Sequence, residues 1–278
     1  MELVEIIKVI LIGIIEGITE WLPISSTGHM LIFDAFIPLR MSEEFKEMFF
    51  VVIQLGAIMA VVAMFWKKMF PLGISHKKLE IKKDIIMMWL KVAVACLPSA
   101  VIGFIFDDFL EANFGNALTV SLMLILYGIA FILIENYNKK RKPKIASIAP
   151  TDYKTAIIIG CFQALSMIPG TSRSGATIIG ALLIGVSRTA AAEFTFFLAV
   201  PTMLGASLLK LMKFGFDFAT QEIIVLLLGM AVAFAVSLFA IKFLMNYVKR
   251  HDFKAFGYYR IALGIIVILI SAFIKKGL

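Results

Sequence analysis

The sequence predicts an all-α polytopic membrane protein built as two inverted repeats, each a re-entrant helix hairpin plus three transmembrane helices. Three observations carry that prediction: long apolar stretches, basic residues confined to alternate connectors, and a polar hairpin motif that occurs twice. The chain is 61% hydrophobic and only 17% charged over 278 residues, which is the composition of an integral membrane protein.

Six stretches reach or approach the ~20 apolar residues that cross a bilayer: 48–66, 85–106, 117–134, 190–212, 223–241 and 258–274. The opening "MELVEIIK" carries acidic residues where a signal peptide would be basic, so no removed targeting segment is expected. Cys96 and Cys161 lie inside apolar stretches without metal-ligand spacing and read as buried free thiols. The net charge of +8 does not point to nucleic acid, because the excess sits in three short connectors, 67–84, 138–144 and 249–254. The other connectors are acidic or balanced, with Asp107, Asp108 and Glu111 in one and Lys213, Asp217 and Glu222 in another. This positive-inside asymmetry puts the three basic loops in the cytoplasm and both termini outside. His76 and His251 fall in the basic loops and read as solvated surface histidines.

Two segments do not fit as spans. The arm 2–22 is long enough to cross, but the return from Gly28 reaches Pro38 after about ten residues, or ~15 Å of helix. Residues 1–40 therefore read as a re-entrant hairpin with "PISSTGH" at its tip, and 153–188 as a second with "PGTSRSG" at its tip. A shift of 146 positions superposes Pro23 on Pro169, Ser25 on Thr171, Ser26 on Ser172 and Glu47 on Glu193. One membrane domain, 1–278, then divides into repeats of about 1–145 and 146–278. Each half holds an odd number of spans, so the second copy is inverted, and inverted repeats with broken helices build polar sites at the bilayer midplane.

The tips carry the chemistry. Glu16 and Glu20 are four apart, so on a helix they share a face and can hold a cation or divide the roles of ligand and base. Pro23 interrupts the helix, and Ser25, Ser26 or Thr27 can cap the one that restarts. In the second tip Pro169 and Gly170 interrupt, Ser172 and Ser174 can cap or donate, and Arg173 adds a fixed positive fork. Restarting helices present free N–H groups to an anion, so the pair of tips suits phosphate. Intramembrane Glu16, Glu20, Ser26, His29 and Arg173 together point to function. Glu47 and Glu193, by contrast, read as first-turn residues that complement helix dipoles. Gln54 is ambiguous, and Lys91 is expected to snorkel to the interface.

"EGITEWLPISSTGH" and "PGTSRSGAT" resemble the two signature motifs, E-x-x-x-E and P-G-x-S-R-S-x-x-T, of the bacterial undecaprenyl-pyrophosphate phosphatase (bacitracin-resistance) family, with no departure at a motif position. The resemblance covers essentially the whole chain in length, span order and motif placement. It implies an enzyme of the bacterial cytoplasmic (inner) membrane that removes the terminal phosphate of the C55 polyprenyl pyrophosphate carrier used in cell-wall synthesis. It also implies a site facing the periplasm, a divalent cation such as Mg²⁺ or Ca²⁺, and a bearing on bacitracin tolerance.

On that reading Glu16 and Glu20 bind the cation, while Ser25, Thr27, Gly170, Ser172, Arg173 and Ser174 hold phosphoryl oxygens. The catalytic residues are Glu20, Ser26, His29 and Arg173. Ser26 is the favoured nucleophile, activated by Glu20 or His29, with His29 itself and metal-bound water as the other versions. The alternative class is a polyprenyl-phosphate flippase, because secondary transporters are also built from inverted repeats and broken helices. A homodimer is among the oligomeric states left open.

Overall fold

The computed structural model describes residues 2–75, 78–148 and 151–276; His76 lies outside them. The first half runs α1 (Leu3–Thr19), α2 (Ser26–Phe36), α3 (Glu43–Val52), α4 (Gln54–Met69), a two-stranded antiparallel ribbon of β1 (Leu72–Ser75) and β2 (Lys78–Ile81), α5 (Lys83–Phe114) and α6 (Ala117–Asn138). The second half runs α7 (Tyr153–Leu165), α8 (Arg173–Leu183), α9 (Arg188–Phe214), α10 (Thr220–Tyr247) and α11 (Lys254–Lys276).

Six helical segments are long and apolar enough to cross a membrane: Glu43–Met69, Lys83–Phe106, Ala117–Asn138, Arg188–Phe214, Thr220–Tyr247 and Lys254–Phe273. They contain almost all of the six stretches expected from sequence and start earlier in five of the six cases. Ser42 and Ser187 set two of those starts, each accepting a hydrogen bond from a main-chain N–H three residues on. Glu47 and Glu193 therefore lie past the first turn rather than in it, and what they meet is a lysine instead of a helix end. Lys68 on α4 pairs with Glu193 on α9, and Lys210 on α9 comes within 4.0 Å of Glu47 on α3. Two connectors also differ from expectation. Residues 107–114 continue α5 as helix, and part of 67–84 forms the ribbon.

Apart from α3 and α4, which together form the 27-residue segment Glu43–Met69, four helices are short, and they come in two pairs. α2 and α8 have 11 residues each, about 16 Å of helix against a hydrocarbon core of ~30 Å. Each pair packs through its first member: α1 lies along α10, and α7 along α5. Small residues allow that approach, as is usual where lipid rather than water surrounds the helices. A Cβ on Gly160 of α7 would lie 2.2 Å from the Ala95 carbonyl oxygen of α5, and one on Gly17 of α1 would lie 2.9 Å from that of Ala233 on α10. Because Gly160 faces α5, its neighbour Cys161 is turned outward and exposed rather than buried. Cys96 is half-buried, 3.6 Å from the Thr202 hydroxyl.

The largest core forms around α8 and α9, with Trp21, Ile178, Phe194, Phe196, Phe197 and Phe253 among its members. Every residue of α8 from Ser174 to Leu182 is buried, whereas α2 buries only Gly28 and Met30. The two tips meet at the inner end of α8.

Candidate active site

Each tip is a helix break followed by a serine cap. Ser25 (φ 74°, ψ 104°) accepts from the Gly28 N–H at 3.4 Å, and Ser172 (φ 68°, ψ 120°) accepts from the Gly175 N–H at 3.2 Å. Among the described residues these are the two non-glycine positions with positive φ. Such conformations cost of order 1–3 kcal/mol and persist where the surroundings over-determine them, commonly at active sites. The turn geometry thus equates Ser25 with Ser172, a shift of 147, not the 146 read from the prolines. The one-residue difference arises because Pro23 sits two places before its cap and Pro169 three before its own. In the new register Glu16 matches Gln163, Ser26 matches Arg173 and Gly28 matches Gly175.

The helix continues through Glu20, whose N–H donates to the Glu16 carbonyl at 3.0 Å, so the two carboxylates are one turn apart on one face. Both are buried. Glu20 joins the tips. Its Oε2 accepts from the Ser26 hydroxyl at 3.0 Å, its Oε1 accepts from Arg173 Nη2 at 3.1 Å, and its main-chain oxygen accepts from the Ser174 hydroxyl at 3.2 Å. Arg173 is fixed from behind, with Nη1 donating to the Thr195 carbonyl at 2.9 Å and the guanidinium 5.9 Å from the Trp21 ring centre. Thr177 and Thr195 brace this corner through their hydroxyls at 2.8 Å, and the Ser172 and Ser174 hydroxyls are 3.2 Å apart.

His29 is placed differently from the role expected of it. Its Nδ1 donates to the Ser25 carbonyl at 2.7 Å and its Nε2 meets the Tyr259 hydroxyl at 2.7 Å, with the two rings nearly parallel. Both ring nitrogens are occupied, and neither bonds Ser26 or Glu20. Thr27 is exposed at the start of α2, and the Gly170 carbonyl accepts from Arg260 at 2.9 Å.

Sequence reasoning missed Arg260 and Tyr259, both on α11. The available signal was an arginine near the start of the apolar run 258–274, since an intramembrane charge marks a functional position by default. It missed Glu135 too. That buried carboxylate takes Arg188 Nε at 2.9 and 3.1 Å and the Phe253 N–H at 3.0 Å.

Five buried side-chain atoms among the described residues have no hydrogen-bond partner: Glu16 Oε1, Trp21 Nε1, Thr171 Oγ1, Arg173 Nε and Arg260 Nε. All five belong to the tips or to the arginine that bonds them. Buried unpaired polar atoms are few in native proteins and each calls for an explanation, and a charged ligand at the junction would supply one. A cavity of about 830 Å³ lies elsewhere, at the far end of the second hairpin, lined by Lys139, Lys142, Lys144 and Arg188 among others. It holds the Glu135–Arg188 pair, but the Ser187 hydroxyl there donates to the Ala146 carbonyl and none of the five unpartnered atoms belongs to its lining, so the candidate site is placed at the tip junction by chemistry rather than volume.

The family described as bacitracin resistance protein BacA matches residues 9–266, which include both tips and α11 up to Ile266. The chain belongs to that family. This BacA-family chain is 67% identical over 273 residues to an undecaprenyl-diphosphatase of Enterococcus faecalis, covering 98% of this chain and 99% of the relative. It is 60% identical over 267 residues to an undecaprenyl-diphosphatase of Acetivibrio thermocellus, covering 96% and 98%. Over 270 residues it is also 60% identical to one of Desulfitobacterium hafniense, covering 97% of each.

Proposed function

We propose that this chain is an undecaprenyl-diphosphatase. It hydrolyses the terminal phosphate of the C55 polyprenyl diphosphate carrier to undecaprenyl phosphate and inorganic phosphate, recycling the carrier for cell-wall synthesis and conferring bacitracin resistance. The observation that carries the reading is Glu20, held between the hydroxyl of Ser26 and the guanidinium of Arg173 where the two tips touch. The 67% identical relative of nearly equal length agrees with it.

In the proposed reaction Ser26 Oγ attacks the terminal phosphorus, its proton passes to Glu20 Oε2, and the P–O bond to the lipid phosphate breaks. Water then attacks the phosphoserine, and Glu20 returns the proton to Ser26 Oγ as inorganic phosphate leaves. Arg173 and the first-turn N–H groups of α2 and α8 other than those that Ser25 and Ser172 cap offset the phosphoryl charge, with Ser174, Thr27 and the Gly170 turn shaping the rim. The occupied ring of His29 favours Ser26 over His29 as nucleophile and gives His29 the task of orienting the Ser25 turn.

Glu16 and Glu20 fit a hard divalent cation. Glu16 Oε1 is buried without a partner, and Mg²⁺ is commonly held by one or two carboxylates together with substrate phosphates. No cluster of three His, Cys, Asp or Glu exists among the described residues, in keeping with a site the substrate completes. Bound there, Mg²⁺ or Ca²⁺ supplies charge neutralisation and polarisation of the anhydride.

The architecture we infer is one domain of two inverted repeats, about 1–145 and 146–278, in which α1–α2 and α7–α8 are re-entrant hairpins entering from opposite faces. Three features support it: the matched serine turns, the reciprocal packing of α1 on α10 and α7 on α5, and the three spans in each half. The basic connectors favour the inner membrane with the site opening outward and both termini outside. A cysteine at Lys142, in a background lacking Cys96 and Cys161, should then react with an impermeant reagent only from the cytoplasm, and one at Asp217 only from outside.

The deciding measurement is phosphate release from undecaprenyl diphosphate by purified protein in detergent, with and without a chelator. Release abolished by the chelator and restored by Mg²⁺ or Ca²⁺ supports hydrolysis. No release, with lipid translocation in vesicles, would make the chain a flippase.

A further inference from the structure

Arg260 lies outside both motifs, yet it touches more of the site's backbone than any motif residue. Its side chain is completely buried on α11. Among the described residues no carboxylate bonds it, and its partners are main-chain carbonyls from three segments: Pro23 at 3.3 Å, Gly170 and Thr171 at 2.9 Å each, and Met123 at 3.4 Å. Pro23 belongs to the first tip and Gly170 and Thr171 to the second. These are the oxygens that two helix breaks leave without intrahelical donors, and within a membrane such groups are tolerated only when something satisfies them. Closeness to the second cap is just as tight, since a Cβ on Gly175 would lie 3.2 Å from Arg260 Nη1. The preceding residue, Tyr259, reaches the first turn, at Ser25, through His29.

We propose that Arg260 is a positioning residue for this reaction, holding the two hairpin tips at the separation at which Arg173 of one meets Glu20 of the other. This rests on assigning the reaction to the tip junction. The tips come from elements 153 residues apart, and their ion pair runs through the Glu20 carboxylate, the group that must exchange partners during turnover, with one hydroxyl bond from Ser174 to the Glu20 main-chain oxygen beside it. A catalytic carboxylate cannot also be the fixed strut. The guanidinium can, because it is planar and presents several donors at set angles, so one face of the fork takes each tip. An ammonium keeps the charge but not the fork.

The test is Arg260→Lys, measured for kcat and KM on undecaprenyl diphosphate at saturating Mg²⁺, alone and combined with Arg173→Lys. Misplacing reacting groups by about 1 Å costs up to ~100-fold in rate, so kcat should fall roughly 10- to 100-fold while KM stays within about 3-fold. If Arg260 acts by placing Arg173 against Glu20, the double variant should be no more than about 3-fold slower than the slower single one, because residues acting through a shared element are non-additive. Amide hydrogen exchange in 21–27 and 168–174 should quicken in Arg260→Lys, with the rest of the chain unchanged. Near-wild-type kcat overturns the proposal, and so do losses that multiply in the double variant. Should Arg260→Lys fail to fold, Arg260→Gln, uncharged but with two N–H donors, is read by the same criteria. Glu20→Gln in parallel separates the failures. An active Glu20→Gln overturns the site itself, whereas an inactive one beside a fully active Arg260→Lys overturns only the role of Arg260.

Discussion

The first and second hairpins share a backbone and divide the chemistry. Ser25 and Ser172 adopt nearly the same unusual turn, each bonding an N–H three residues on, and each opens an 11-residue helix. The side chains around the turns differ in sign: Glu16 and Glu20 lead into the first, Gln163 occupies the place of Glu16 before the second, and Arg173 stands where Ser26 stands. Burial differs too, since α8 is enclosed from Ser174 to Leu182 while α2 buries two residues. The same turn thus follows two buried carboxylates and opens onto an exposed helix in one pair, and starts an enclosed helix with an arginine in the other.

The comparison breaks most visibly at Glu20. Glu20→Gln should lower phosphate release at least ~100-fold, since it removes the base and an anionic ligand together. Glu47→Gln, whose carboxylate lies on α3 beside Lys210, should do far less, and equal losses in equally stable proteins would move the site away from the first tip.

On the second tip, Arg173→Lys keeps the charge and gives up the fork, for a loss of roughly 10- to 100-fold in kcat, the equivalent of about 1.5–3 kcal/mol for a charge-assisted hydrogen bond. Arg173→Ala should be worse. Arg40→Lys, an exposed arginine, is the control; Arg188 would be a poor one, because it holds buried Glu135 with three hydrogen bonds. A defect confined to KM would make Arg173 a docking residue.

Glu16→Gln sharpens the metal side of the comparison. It should raise the Mg²⁺ concentration for half-maximal phosphate release by roughly 10-fold or more, with smaller loss at saturating metal. Gln163→Ala, at the matched place in the other hairpin, should leave the metal requirement unchanged.

The smallest effects belong to the caps. Ser25→Ala and Ser172→Ala should each cost about 1 kcal/mol, and the Ser→Gly variants only a few tenths more or less than the wild type, because glycine accepts positive φ. Thermal unfolding in detergent reads both series. An alanine cost at one turn without its counterpart at the other would show that the two turns are not equivalent.

What the sequence made legible was local. Pro23, Pro169, Gly170 and the serines declare where helices break, and the apolar stretches declare the six spans, because both are written in adjacent residues. The contact between Glu20 and Arg173 was half legible, as two charges in apolar surroundings that need partners. Arg260 offered the same signal, a charge in an apolar run, but not its partners, because its acceptors are main-chain oxygens, which carry no residue signature, up to 237 positions away. The partner of His29 was hidden for the same reason, since Tyr259 lies 230 residues on. Register failed by one residue because proline was taken as the landmark, whereas the serine cap is what fixes the turn.

These separations set an order of events during synthesis. Glu20 leaves the ribosome 153 residues ahead of Arg173, and Pro23 precedes Arg260 by 237. At ~5–20 residues per second, the first tip waits roughly 10–50 s for its last donor. Until α8 is made, Glu20 lacks Arg173, and until α11 follows, the carbonyls of Pro23, Gly170 and Thr171 lack the arginine that bonds all three.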